Sequence, residues 1–127
     1  MYSETTEGIR VQVEVRYAPE HSSPPQGQWF FVYQIEITNE SPLAARLVRR
    51  RWVITDAEGR EQVVEGPGVV GQTPRLEPGE VHRYTSGCPL TTPFGTMKGH
   101  YTMVRDSGAP FQVVVPEFAL TQPHGLN

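Results

Sequence analysis

Apolar and polar positions alternate through much of this chain. Ile9, Val11, Val13, Val15 and Tyr17 are interleaved with Arg10, Gln12, Glu14 and Arg16, a period of two that gives a strand one apolar and one wet face. The pattern predicts an outer strand there, after a loose polar tail at residues 1–7. Residues 18–27 (APEHSSPPQG) make a Pro/Ser loop that cannot join a ladder, because Pro lacks the backbone donor. A second strand is predicted over residues 29–38, with Phe31, Tyr33, Ile35 and Ile37 on one face, and residues 39–42 end it.

A third candidate strand spans residues 43–55, and Arg falls on both of its faces. Val48, Arg50, Trp52 and Ile54 alternate with Leu47, Arg49, Arg51 and Val53. The Trp52 face is read as buried, since Trp contributes the largest apolar area in the run. Asp56-Ala57-Glu58-Gly59 supplies a hairpin turn into a strand at 61–65, with Gly59 in a left-handed position. Residues 66–79 carry three Pro and four Gly, which predicts a long crossing loop between sheets. A short strand at 81–86 and a loop at 87–93 follow. Two final strands, 95–105 and 111–120, are joined by Asp106-Ser107-Gly108-Ala109, and Pro116 implies a bulge or an edge. In the first of these, Gly95, Met97, Gly99, Tyr101 and Met103 share a face opposite Lys98, His100 and Thr102. Gly inside a strand marks a place where something large packs on the backbone, so the Trp52 ring is expected over Gly99. The pattern describes an all-β fold, a two-sheet antiparallel sandwich of about seven strands, fibronectin type III or immunoglobulin-like.

Composition narrows the function classes. A length of 127 residues predicts a single domain over 1–127, with a second loose tail at 122–127, and 12 Gly plus 12 Pro fit a strand-and-turn protein. The net charge of -3 argues against nucleic acid or an anionic membrane as partner. Cys88 is single and has no intrachain mate, which fits a reducing compartment, and the lack of any long apolar run makes the cytoplasm the expected location. Ser86 lacks the G-x-S-x-G turn of a nucleophile elbow, and Cys88 has no basic or helix-terminal neighbour to activate it. His21, His82, His100 and His124 lie on separate segments without metal-ligand spacing. No enzyme activity, metal or cofactor is expected.

Two stretches remain as candidate sites. Gly66-Pro67-Gly68-Val69-Val70-Gly71 matches G-x-G-x-x-G by letter, but a dinucleotide site needs a strand before it and a helix after it. Pro74, Pro78 and Gly79 forbid a long helix there, so the glycines are read as loop geometry, with a backbone anion nest at Gly66, Gly68 and Gly71 as the alternative. The second stretch is the basic run Arg46, Arg49, Arg50 and Arg51. Strand alternation splits it, Arg49 and Arg51 on one face and Arg46 and Arg50 on the other. Arg49 and Arg51 then join Lys98 and His100 on the outer surface of one sheet, a candidate face for a protein partner.

Several spacings together carry a family resemblance. Trp52-Val53-Ile54-Thr55-Asp56, the Gly66 to Gly71 run, Leu76-Glu77-Pro78-Gly79-Glu80, Tyr84-Thr85-Ser86-Gly87, Gly95-Thr96-Met97-Lys98-Gly99-His100-Tyr101 and Pro116-Glu117-Phe118-Ala119-Leu120 resemble the bacterial ApaG family, also called CorD. The resemblance covers about residues 8–121. It implies a small soluble cytoplasmic protein with a fibronectin type III-like sandwich and no established catalytic residues. It also implies an association with cobalt tolerance and magnesium efflux, and a pyrophosphate motif that maps onto Gly66, Gly68 and Gly71. Similar domains in eukaryotic F-box proteins and in a polymerase delta interacting protein are taken to mediate protein contacts. Two function classes follow: a protein–protein interaction module, or a sensor that binds a nucleotide polyphosphate, pyrophosphate or a divalent cation.

Overall fold

The alternating segments become the strands of a sandwich in the computed structural model, which describes residues 1–123. In chain order they are β1 (Tyr2–Thr6), β2 (Ile9–Tyr17), β3 (Trp29–Asn39), β4 (Ala45–Asp56), β5 (Glu61–Pro67), β6 (Arg75–Leu76), β7 (Val81–Leu90), β8 (Phe94–Arg105) and β9 (Pro110–Thr121). One antiparallel sheet has the order β1-β2-β3-β7 and the other β5-β4-β8-β9, with β6 pairing β4 beyond the end of β5. Residues 18–27 hold only two short 3-10 turns, Pro19–His21 and Pro24–Gln26.

Period two works best where one face is fully covered. Ile9, Val11 and Val13 of β2 and Phe31, Ile35 and Ile37 of β3 have no exposed surface. They meet Tyr101 and Met103 of β8 and Val113, Phe118 and Leu120 of β9 in one core. Each such side chain contributes about 1.5–3 kcal/mol by leaving water.

The structure corrects the sequence expectations in four places. First, residues 2–6 are an edge strand and not part of a loose tail. Their sequence YSETT has no apolar alternation, and β1 is held by backbone pairing to β2 and by the Tyr2 ring, 6.0 Å from that of Phe118. With β1 outside it, β2 is an inner strand. Second, β7 runs on through Gly87, Cys88 and Pro89, which the 87–93 loop had claimed. It is an edge strand, where Pro is tolerated because the missing donor has no ladder partner to disappoint. Third, the long crossing loop is shorter, because β5 extends to Pro67 and β6 re-enters the sheet. Together β1 and β6 bring the count to nine strands among the described residues.

The fourth correction concerns β4. Its register against β8 shifts between Leu47 and Arg49, so Val48 is the extra residue of a bulge. Ala45 and Leu47 face the core before the bulge, and Arg50 and Trp52 face it afterwards. Leu47 is therefore buried, not outward with Arg49, and Arg46 shares the outer face with Arg49 and Arg51. Arg50 alone of the four points between the sheets.

Other expectations stand. Trp52 is the direct cross-strand neighbour of Gly99, and a Cβ on Gly99 would lie 3.1 Å from the Trp52 ring and 1.9 Å from the Arg51 carbonyl oxygen. Pro116 and Glu117 lie unpaired at a bulge between the Gly99–Val115 and Met97–Phe118 pairs, and β9 is also an edge. At one end of the sandwich, buried Asn39 donates from Nδ2 to the carbonyls of Leu43 and Leu76 and accepts from the amide and hydroxyl of Ser41. Arg105 donates to Ser41 Oγ and to the Leu43 and Glu7 carbonyls, tying β8 to the same junction. Along one side β9 packs on β1 and β2. Along the other, β5 and β7 are the free edges of the two sheets, and a slot opens between them.

Candidate functional site

The slot exists because two edge strands from different sheets stand opposite each other and their inward side chains do not fill the space. Its volume is about 350 Å³. Tyr33 of β3, Trp52 of β4, Cys88 of β7 and Met97 of β8 form the floor, each nearly inaccessible to water. The walls are Ile54 and Val64 on the five-stranded side and Tyr84, Ser86 and Pro89 on the four-stranded side. The Tyr33 and Trp52 rings meet nearly edge to face at 5.6 Å, and Trp52 meets Tyr101 and Phe118 in the same way.

Burial dominates the titration of these groups. It raises the phenols of Tyr33, Tyr84 and Tyr101, and pushes the Cys88 thiol up to about 11. Tyr84 and Tyr101 share a hydrogen bond between their hydroxyls. The positive charge of Arg50 works against the upward shift in all three phenols. At neutral pH the thiol stays protonated, so its nucleophilic form is scarce.

Arg50 enters the slot from β4 and is positioned by the glycine-rich segment. Its Nη1 donates to the carbonyls of Pro67 at 2.9 Å and Gly68 at 3.0 Å. A Cβ on Gly66 would lie 3.1 Å from the guanidinium nitrogens, so the absence of a side chain lets the planar group lie close to the backbone. The segment turns tightly afterwards: Val69 and Gln72 exchange backbone hydrogen bonds at 2.8 and 2.9 Å, with Val70 and Gly71 at φ 47° and 75°. These are the signs of a type I′ turn, not of a helix start. The Gly68 amide donates to the Val48 carbonyl and the Val69 amide to Gln72. Gly66, Gly68 and Gly71 thus sit in a hairpin that directs carbonyls at an arginine and uses two of its amides internally.

The other predicted residues come together on the outer face of the five-stranded sheet. Arg51 pairs with His100 across β4 and β8, Val53 with Lys98, and Arg49 with Thr102. Arg51 reaches Glu65 at 3.2 Å, and Arg46 donates to the Thr73 carbonyl. Among the described residues, Arg49 and Lys98 have no carboxylate within 4.0 Å. The face also shows Val63 and Val114, 49% and 39% exposed. Among the described residues no three His, Cys, Asp or Glu side chains are placed to hold a metal ion, and no helix is long and apolar enough to cross a membrane. His124 lies outside the described residues.

The sequence reasoning missed the slot. Alternation puts Arg50 on the Trp52 face without saying what it meets there, and Cys88 reads as a thiol with no neighbour to activate it. The inward alternation of Arg50, Trp52 and Ile54 was the available signal, but which strand edge would face them was not in the local pattern.

Comparison with known proteins agrees with the fold and places the chain in a family. The ApaG protein of Bordetella pertussis is 50% identical over 119 residues, covering 94% of this chain and 91% of that protein. The ApaG protein of Rhodospirillum centenum is 49% identical over 127 residues, covering 100% and 98%. A crystal structure described as an ApaA protein from Bordetella pertussis superposes with a TM-score of 0.87 at 50% identity, over 95% of both chains. The ApaG domain profile itself matches residues 19–105, and with relatives this similar over almost their whole length the chain belongs to the ApaG domain family.

Proposed function

We propose that this protein is a non-enzymatic protein–protein interaction module, and that its docking surface is the outer face of the five-stranded sheet. The observation that carries this reading is the gathering of Arg46, Arg49, Arg51, Lys98 and His100 on one sheet face of a chain whose net charge is -3. Arginine beside exposed valines is a composition suited to protein interfaces, and the excess of cations selects an acidic partner surface. The resemblance to CorD supports a partner that works in divalent cation homeostasis, with cobalt and magnesium as the ions proposed. The geometry of the Gly66 to Gly71 hairpin supports this reading over pyrophosphate sensing, because a nest needs amides that converge on an anion and here two are already satisfied.

The test is crosslinking and partner recovery with wild type, with Arg49→Glu plus Arg51→Glu, and with Arg16→Glu on the opposite sheet. Loss of recovery only in the first variant, together with loss of cobalt tolerance in cells carrying it, is the expected result. Equal recovery from all three proteins refutes the assigned face.

A further inference from the structure

The slot between β5 and β7 has no part in the interaction reading, and three observations there converge. The first is a half-free cation. Nη1 of Arg50 is taken by the Pro67 and Gly68 carbonyls, while its Nε and Nη2 donate to no group among the described residues. Those two donors form one edge of the guanidinium, which matches the two oxygens of a carboxylate. Arg50 has no carboxylate within 4.0 Å among the described residues.

The second observation is size and shape. About 350 Å³ lies at the small end of ligand pockets, which run from about 300 to 1,000 Å³. The space lies between two packed sheets, a separation of about 10 Å from which inward side chains on both sides must be subtracted. What is left admits a flat body. Val64 and Ile54 on one wall and Tyr84 and Pro89 on the other are suited to its faces, and Gln62 and Ser86 offer polar contacts.

The third is a residue that fits its place poorly in the protein alone. Val70 is β-branched yet holds φ 47°, a conformation costing about 1–3 kcal/mol that Gly or Asn adopts with ease, and its apolar side chain is 61% exposed at the mouth of the slot. Covering it with an apolar ligand surface recovers part of that exposure.

We propose that this slot binds a small carboxylate that carries a planar aromatic ring, its ring between Val64 and Tyr84, its carboxylate on the free edge of Arg50 and its outer rim under Val70. A monoanion is favoured over a phosphate because a single arginine balances one charge, and no second Lys or Arg lines the slot. The glycine-rich hairpin acts here through its carbonyls, which hold Arg50 in position.

The experiment is an amide-shift titration with indole-3-acetate, and with the neutral indole-3-acetamide and inorganic phosphate as contrasts. The acid should shift Val64, Val70 and Gly87 saturably. The amide should bind at least about tenfold more weakly, as expected for losing one charge-assisted pair, and phosphate should leave these residues unmoved. Arg50→Met should reduce the acid to the affinity of the amide, whereas Arg49→Glu plus Arg51→Glu should leave acid binding unchanged even if it abolishes partner recovery. Equal binding of acid and amide, shifts centred elsewhere, or an Arg50→Met protein that still prefers the acid overturns the proposal. If Arg50→Met does not fold, the contrast between acid and amide in the wild-type protein decides.

Discussion

Arg49, Arg50 and Arg51 are consecutive, yet they belong to two regions with opposite physics. Arg49 and Arg51 stand on the outer sheet face, in water, with one ion pair at 3.2 Å between them and their neighbours. Arg50 lies between the sheets, held by two carbonyls and facing three raised phenols. On the outer face charges are screened and their pairing contributes little to stability, so that region is free to vary its chemistry for a partner. In the slot the surrounding apolar side chains strengthen each polar contact, so the same residue type, fixed by two carbonyls, becomes a positioned group. A run that looks uniform in sequence is divided by the pleat.

The comparison breaks first at Gly99, which underlies both regions. Its Cβ position is 1.9 Å from a backbone oxygen, which cannot swing aside as a side-chain tip can. Gly99→Ala should cost about 3 kcal/mol or more in urea unfolding and disturb Trp52 at the floor of the slot. By contrast, Arg49→Glu plus Arg51→Glu should change stability by no more than about 0.5 kcal/mol per site, as surface changes do. An Ala variant as stable as wild type would show that the sheet yields there and that the slot floor is not rigid.

A thiol probe sharpens the difference at smaller amplitude. Cys88 is 2% exposed, and burial holds its pKa near 11. Labelling of native protein by a thiol reagent at pH 7.5 should proceed at least about a hundredfold more slowly than in denaturant, since both access and thiolate fraction are low. Rapid labelling of the native thiol would mean that the slot opens far more than its walls suggest.

The smallest expected effect is a pH dependence. His82, beside Tyr84 on β7, has a buried Nε2 with no partner among the described residues, and desolvation lowers its pKa below 6.5. The unfolded chain therefore takes up the proton first as pH falls. The stability present above pH 6.5 is lost progressively as pH drops toward the lowered folded value. His82→Phe should flatten that part of the urea-midpoint profile between pH 7.5 and 5.5, and an unchanged slope would remove His82 as its source.

Much of the fold was legible because long strands with one covered face write period two into the chain. Ile9 to Val13, Phe31 to Ile37 and the strand containing Gly99 all read correctly for that reason, as did the Trp52–Gly99 contact. β1 was not legible, since YSETT is held mainly by ladder bonds to β2, with Tyr2 its one side chain packed against the core. Nor was the Val48 bulge, which inserts one residue and so reverses the face of Leu47 and Arg46 while leaving composition unchanged. The predicted outer residues Arg49, Arg51, Lys98 and His100 needed only alternation within two strands to be placed together.

Sequence by itself thus determined most of the strand segments, which of their residues prefer the core away from the Val48 bulge, and that glycine and proline would break any helix after the central hairpin. These are local matters of period, propensity and backbone freedom. Only the tertiary structure decided that the edges of β5 and β7 would confront each other across Arg50. That juxtaposition depends on how two sheets pack and where their ladders end, and it is written in no single stretch of the chain.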